Sequence, residues 1–292
     1  MCQKNIFLGL DLYSIFMLVG VIACMVCIRL LSDHRKLAAK WQNLVLFNAV
    51  LAVILGYGSA VLFQAFYNFM ESGTFEVVNS TGATFYGGLI GGTAIFIAVY
   101  FVAGSILFKD GYHKKYFRTV SDMAAPCIAI AHGFGRLGCL MAGCCHGAKT
   151  DAWFGIPMNI PGDGTNELVK VVPVQLYEAI FLLALGVFTF LLFWEGKKYL
   201  LPTYMGAYAV WRFIAENLRA DHRGETIVDF WSPSQLISVL LLVGGILLFA
   251  IEWRIDHPST GGDGETQEAD AEPEQSSDET SEETAEADEA ES

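Results

Sequence analysis

A chain of 292 residues that is 53% hydrophobic and only 17% charged is too apolar for a pair of soluble domains and points to a membrane-embedded protein, so its length counts spans. The formal charge of -13 is a local property: beyond residue 262 there are 14 Asp and Glu and no Lys or Arg, which leaves 18 basic against 17 acidic residues before it. The body is therefore close to neutral, and nucleic acid is not an expected partner.

In chain order, seven stretches have the length and apolarity that a hydrocarbon core about 30 Å thick requires: 12–31, 45–67, 86–108, 123–145, 174–194, 203–218 and 234–252. The fold class expected is all-α, a polytopic membrane protein with about seven transmembrane helices. "VIAC", Val21 to Cys24, resembles a lipoprotein signal, but Asp11 interrupts its lead-in and six further spans follow, so the first span is expected to be a permanent helix. Basic residues alternate between loops. Arg29, Arg35, Lys36 and Lys40 follow span one; Lys109, Lys114, Lys115 and Arg118 follow span three; Lys197 and Lys198 follow span five; Arg254 follows span seven. The intervening segments hold only Lys4, Lys149, Lys170, Arg219 and Arg223. By the positive-inside rule the N-terminus lies outside and the C-terminus in the cytoplasm. Two regions follow: a membrane body over 1–255 and an acidic tail over 256–292, whose run of like charge without aliphatic pattern predicts disorder.

Spans four and six each carry an arginine, Arg136 and Arg212. An intramembrane arginine is costly, and by default it faces a partner or a ligand. Helical spacing puts His132, Arg136, Cys139 and Gly143 on one face, and Tyr208, Arg212, Glu216 and Arg219 on another. Two explanations stand. Arg212 pairs with Glu216, and Arg136 with Asp122 or Glu178, purely for assembly; or the two guanidiniums hold a phosphate or carboxylate bidentately. The glycines of "YGGLIGG", Gly87, Gly88, Gly91 and Gly92, suit close helix packing or the approach of a lipid headgroup.

"HGFGRLGCLMAGCCHG", His132 to Gly147, has metal-ligand residue types in Cys139, Cys144, Cys145, His132 and His146. It lacks C-x-x-C spacing, however, and adjacent cysteines on a helix point about 100° apart, so no metal site is expected. A vicinal redox pair is not expected either; a thiolate nucleophile beside arginine is the remaining reactive reading. Cys24, Cys27 and Cys127 read as packing residues, and no cofactor is implied.

Several stretches together resemble the phosphatidylglycerol:prolipoprotein diacylglyceryl transferase family of bacterial inner membranes. They are "LYSIFMLVG" with Tyr13, "FYGGLIGG", "SDMAAP", "GRLGCLMAGCCHG", "PVQLYE" with Gln175, Tyr177 and Glu178, "YAVWRFIAENLRAD" and "PSQLIS", in the family's order over about residues 9–252. The resemblance implies transfer of a diacylglyceryl group from phosphatidylglycerol to the lipobox cysteine of a prolipoprotein signal peptide, releasing glycerol 1-phosphate. It also implies a site open to the lipid bilayer and toward the outer leaflet. Arg136, Arg212 and Tyr86 are then expected in catalysis, and Tyr13, Gly87, Gly88, Cys139, Gly147, Tyr208 and Glu216 in substrate binding. Four positions depart from the family pattern. Tyr86 stands for its histidine, Cys139 for an asparagine, Cys144 for an acidic residue, and Gly58 stands about where span two usually has an arginine. A relative acting on another lipid phosphate, or a non-catalytic anionic-lipid-binding or transport protein, remains open; the inverted repeats typical of transporters are not seen between 1–120 and 121–252.

Overall fold

The computed structural model describes residues 11–73, 84–160, 167–217 and 232–257, apart from the side chains of residues 71, 72, 85, 86 and 233. Asp11 starts the first helix, α1 (Leu12–His34): its extended backbone and carboxylate form the N-cap, and the Ser14 N–H donates to Oδ1 at 2.9 Å. Hydrogen bonds from Ser14 hold the Asp11 carboxyl below its ordinary value. Then come α2 (Ala39–Ser72), α3 (Phe85–Leu107), the single-turn α4 (Tyr112–Lys115) and α5 (Phe117–Ala142). A two-stranded sheet, β1 (Ile156–Asn159) and β2 (Leu168–Val171), precedes α6 (Val174–Trp194), α7 (Leu200–Glu216) and α8 (Pro233–Asp256).

Six helices, α1, α2, α3, α5, α6 and α8, are long and apolar enough to cross a membrane. The protein is therefore a mostly helical, multi-pass membrane protein. The span expected over 203–218 is α7, at 17 residues about 26 Å long. Outward faces are apolar, with Leu18, Ile54, Val102, Val187 and Leu247 all exposed, as contact with hydrocarbon demands. Asp256, the first residue of the expected tail, ends α8; the tail from 258 onward lies outside the described residues, as do Lys4, Arg219 and Arg223.

Small residues set the packing. Gly20 lets α1 onto α5, since a Cβ there would stand 3.0 Å from Phe134 Cβ and 3.2 Å from the Ala131 carbonyl oxygen. Gly186 does the same for α6, where a Cβ would be 2.8 Å from Ile130 Cγ1. α2 and α3 form their own antiparallel hairpin. It is tied to the bundle at one end by a buried chain of hydrogen bonds, Trp41 Nε1 to Tyr100 Oη at 3.0 Å and Tyr100 Oη to the His113 carbonyl at 2.7 Å. Beyond that end α3 rests on α2, and only 11% of its apolar window is buried.

Polar groups at that same end lock α5, α7 and α8. Asp122, buried on α5, accepts the Leu200 N–H at 2.8 Å and so satisfies an orphan donor at the start of α7. Asp256 near the end of α8 gathers Arg118, Lys198 at 3.0 Å and Tyr199 Oη at 2.8 Å.

The mostly helical chain fits the all-α class, and two local features add to it. The segment between α5 and α6 pairs Ile156 with Val171 and Asn159 with Leu168 in an antiparallel hairpin, and Lys149 bridges to Val171. Four-residue strands in a polar, Gly- and Pro-containing loop are too short to register as a period-2 pattern. In addition, α5 ends at Ala142, three residues before the expected end of span four at 145. Gly143, at φ +70°, closes the helix with the Cys144 N–H bonded to the Cys139 carbonyl at 3.2 Å, a Schellman-type stop.

Candidate active site

Four helices and one loop residue bring the two arginines into one buried polar cluster. α5 supplies His132 and Arg136, α6 supplies Glu178, α7 supplies Tyr208, Arg212 and Glu216, and Ser234 with the preceding Ser232 comes from the start of α8. Arg136 Nε stands 3.1 Å from Glu178 Oε2, a charge contact whose alignment falls short of a hydrogen bond. The Tyr208 hydroxyl donates to the other carboxylate oxygen, Oε1, at 2.9 Å. Glu178 is fully buried, so this carboxylate is held entirely by the protein.

Arg212 has a different set of partners. Its Nη2 lies 2.9 Å from Glu216 Oε2 one turn further on and donates to Ser234 Oγ at 2.9 Å. Ser232 Oγ donates to Glu216 Oε1 at 3.0 Å. Arg212 Nη1 is buried and has no hydrogen-bond partner among the described residues. The His132 ring meets Tyr208 edge-on at 5.0 Å, and Tyr204 stacks on Tyr208 at 6.0 Å. Two guanidiniums and two carboxylates balance in charge. An anion entering here would be held by spare N–H donors and local field rather than by net charge.

The expected pairings are present, Arg136 with Glu178 and Arg212 with Glu216. Asp122, the other candidate for Arg136, caps α7 instead. The sequence motif "PVQLYE" held Glu178, yet only burial reveals it as the hinge between Arg136 and Tyr208. Ser234 lies in the stretch "PSQLIS" without being singled out there, and Ser232 lies just before it.

The remaining expected site residues fall elsewhere. Tyr13 on α1 is partly exposed and packs on α5, where a Cβ at Gly138 would be 3.2 Å from its ring. It is within electrostatic reach of Cys139, Cys144 and Cys145. Gly147 donates its N–H to the Val172 carbonyl at 2.8 Å, joining the loop to the end of β2. Gly87 and Gly88 face α2: a Cβ at Gly87 would stand 2.5 Å from Phe63 Cβ, and one at Gly88 3.3 Å from Ala60 Cβ. Their glycine character is accounted for by helix packing. The side chain of Tyr86 lies outside the described residues.

The cysteines arrange themselves in a way that helical geometry would forbid. Cys144 and Cys145 lie past the end of α5, and Cys145 is a non-glycine residue at φ +61°. The turn folds both thiols back toward Cys139, so that the three Sγ atoms lie within 4.8 Å of one another. The angular objection drawn from a continuous helix therefore does not apply. From α6, Gln175 Nε2 donates to the Cys144 carbonyl at 2.9 Å and fixes the turn.

Comparison with known proteins gives a consistent result. Residues 4–251 match the model of a family described as prolipoprotein diacylglyceryl transferase. A protein of Clostridium perfringens named phosphatidylglycerol–prolipoprotein diacylglyceryl transferase 2 is 34% identical over 264 residues, covering 87% of this chain and 96% of that protein. Proteins named phosphatidylglycerol–prolipoprotein diacylglyceryl transferase from Clostridium tetani and Clostridioides difficile are 30% and 29% identical, each covering 82% of this chain. With a match that reaches every described helix and covers nearly the full length of these relatives, the chain belongs to the prolipoprotein diacylglyceryl transferase family.

Proposed function

We propose that this chain is a membrane transferase of lipoprotein maturation that moves the diacylglyceryl group of phosphatidylglycerol to the thiol of a lipobox cysteine in a prolipoprotein, with release of glycerol 1-phosphate. The observation that carries the reading is the buried cluster of Arg136 and Arg212 with Glu178, Tyr208 and Glu216, with Arg212 Nη1 unpartnered among the described residues. In this reaction sulfur attacks the glyceryl carbon, the carbon–oxygen bond to phosphorus breaks, and the leaving phosphate gains charge. Guanidiniums fixed by Glu178 and Glu216 in a site of low dielectric stabilise that growing charge more than the starting diester, which is the requirement for acceleration.

Arg136 and Arg212 are the catalytic cations in this reading, and Tyr86 donates a hydrogen bond to the phosphate from the start of α3. Tyr208 and Glu216 hold the guanidiniums in register. Tyr13, Cys139 and Gly147 border the acceptor, while Gly87 and Gly88 set the α2–α3 wall along which a phospholipid enters. The protein sits in the bacterial inner membrane with seven spanning helices, α7 included, its N-terminus outside, its acidic tail cytoplasmic and its site toward the outer leaflet. Support for this orientation comes from the alternation of Lys and Arg between loops.

Incubating purified protein with phosphatidylglycerol and a lipobox peptide tests the reading. The peptide is expected to gain the mass of one diacylglyceryl group. No gain, under conditions in which a relative modifies the same peptide, rejects it.

A further inference from the structure

Thioether formation needs the acceptor cysteine as a thiolate, because a thiol is a poor nucleophile. The buried arginine cluster offers cations for the leaving phosphate, and its two carboxylates are already engaged: Glu178 and Glu216 are each held by an arginine and a hydroxyl. Beside this cluster, three residues along α5 from Arg136, sits the convergent trio Cys139, Cys144 and Cys145. All three are partly exposed, and among the described residues no His, Asp or Glu atom joins them. His146, the nearest alternative in sequence, turns its Nδ1 to the Gly147 carbonyl at 2.8 Å.

This geometry matches a known chemical need. A structural zinc site is closed by four protein ligands, whereas a catalytic one has three and leaves a position open for substrate. With metal–sulfur bonds of about 2.3 Å, tetrahedral coordination spaces sulfurs about 3.8 Å apart, and the three atoms, within 4.8 Å of one another, lie within about 1 Å of that spacing. The left-handed backbone at Cys145 points the same way. A non-glycine residue there costs of order 1 kcal/mol, and its effect is to turn a second adjacent thiol toward the first.

We propose that Cys139, Cys144 and Cys145 hold a zinc-class divalent cation whose open fourth position takes the acceptor cysteine as its thiolate. The inference rests on the transferase reading above. On coordination the acceptor S–H gives its proton to water; the bound sulfur attacks the glyceryl carbon; a carbon–sulfur bond forms as the carbon–oxygen bond breaks; and glycerol 1-phosphate leaves with the bonding electrons toward Arg136 and Arg212. The product is a neutral thioether, a weaker ligand than a thiolate, and it leaves the position open for the next acceptor. Two of the three ligands stand where the resemblance expects an asparagine and an acidic residue, so this chain has exchanged a polar arrangement for a thiolate one.

Cobalt(II), loaded into the full-length protein in detergent under reducing, oxygen-free conditions, gives a test independent of turnover. One equivalent is expected, with the visible ligand-field bands of a tetrahedral site and near-ultraviolet thiolate charge transfer. A lipobox peptide containing cysteine should intensify the charge-transfer band, while its serine counterpart should not. Cys144→Ser and Cys145→Ser should each weaken metal affinity by more than the roughly 10–100-fold that a lost supporting partner costs; Cys24→Ser, on α1, should leave the spectrum and turnover unchanged. In parallel, peptide modification is followed with zinc restored and with a chelator present, and the chelator should stop it. If wild-type protein modifies the peptide equally well without metal, or if cobalt binds with no response to the cysteine peptide, the metal proposal falls and the transferase reading stands. If cobalt binds through three thiolates and no peptide modification occurs with any metal, both fall.

Discussion

Arg136 on α5 faces Glu178 on α6 across 3.1 Å, and the carboxylate is completely buried. One guanidinium in the membrane is thereby held by a partner that has no access to water. Removing that partner leaves an uncompensated buried charge, which typically costs about 3–5 kcal/mol. Glu178→Ala is expected to lower thermal stability in detergent markedly and to abolish turnover. Adding Arg136→Ala to it should restore much of the stability and none of the activity. A double-mutant cycle read by thermal unfolding checks this, and additive losses would show that the pair is not coupled.

The fork geometry of guanidinium gives a second prediction. Arg136→Lys and Arg212→Lys keep the charge but lose the planar bidentate donor set. Each is expected to reduce kcat/KM by about 100-fold or more, in line with the loss of one preorganised transition-state donor. Most of the effect should fall on kcat, measured as diacylglyceryl incorporation into a lipobox peptide. A fully active Arg136→Lys protein would remove the bidentate argument.

Replacing the Tyr86 hydroxyl, at the start of α3, tests its proposed hydrogen bond to the phosphate. Tyr86→Phe is expected to lower kcat by roughly 10-fold or more, as the loss of a hydrogen bond to a charged group of about 1.5–3 kcal/mol would do. Tyr86→His, which retains a donor, should keep most of the rate. The two variants compared at saturating phosphatidylglycerol decide the matter, and equal rates for Phe and wild type would place Tyr86 outside the chemistry.

Glycine on α3 makes a prediction of the opposite kind. A Cβ at Gly91 would stand 2.0 Å from Ser59 Oγ and 2.4 Å from Ser59 Cβ. Gly91→Ala should therefore destabilise the α2–α3 hairpin by about 1–3 kcal/mol through overpacking, and Ser59→Gly in the same chain should rescue it. Thermal unfolding with and without the second substitution distinguishes packing from a direct contact of Gly91 with lipid.

At the other end of the bundle, Asp122 accepts the Leu200 N–H and so seats α7, the helix that carries Tyr208 and Arg212. Asp122→Ala strands a buried donor and is expected to cost about 1–3 kcal/mol. Asp122→Asn, which keeps an oxygen acceptor, should cost less. The accompanying loss of turnover should appear mainly in kcat, because the arginine is displaced rather than removed. Unchanged stability in Asp122→Ala would mean that α7 is seated by packing alone.

Much of this protein was legible along the chain. A run of about 20 apolar residues admits few alternatives to a membrane helix, so each of the seven expected stretches falls on a long helix among the described residues, and six of these helices meet the length and hydropathy needed to span. Arg136 and Arg212 declared themselves by their cost in such surroundings, and the order of motifs pointed to the family. Glu216 could be paired with Arg212 by helical spacing alone, because one turn is a local relationship.

Tertiary structure decided the rest, because the remaining relationships join residues distant in sequence or depend on where a helix stops. Which carboxylate meets Arg136 is settled by the packing of α6 on α5, which brings Glu178 close and sends Asp122 to α7. The glycines of α3 are explained by Phe63, Ala60 and Ser59 on α2, none of them predictable from a small-residue spacing. The sharpest case is the stretch from Cys139 to Cys145. Read as continuous helix its thiols diverge, but a left-handed turn at Gly143 and another at Cys145 fold them together. The composition determined that thiols were present, and two backbone dihedrals decided that they converge.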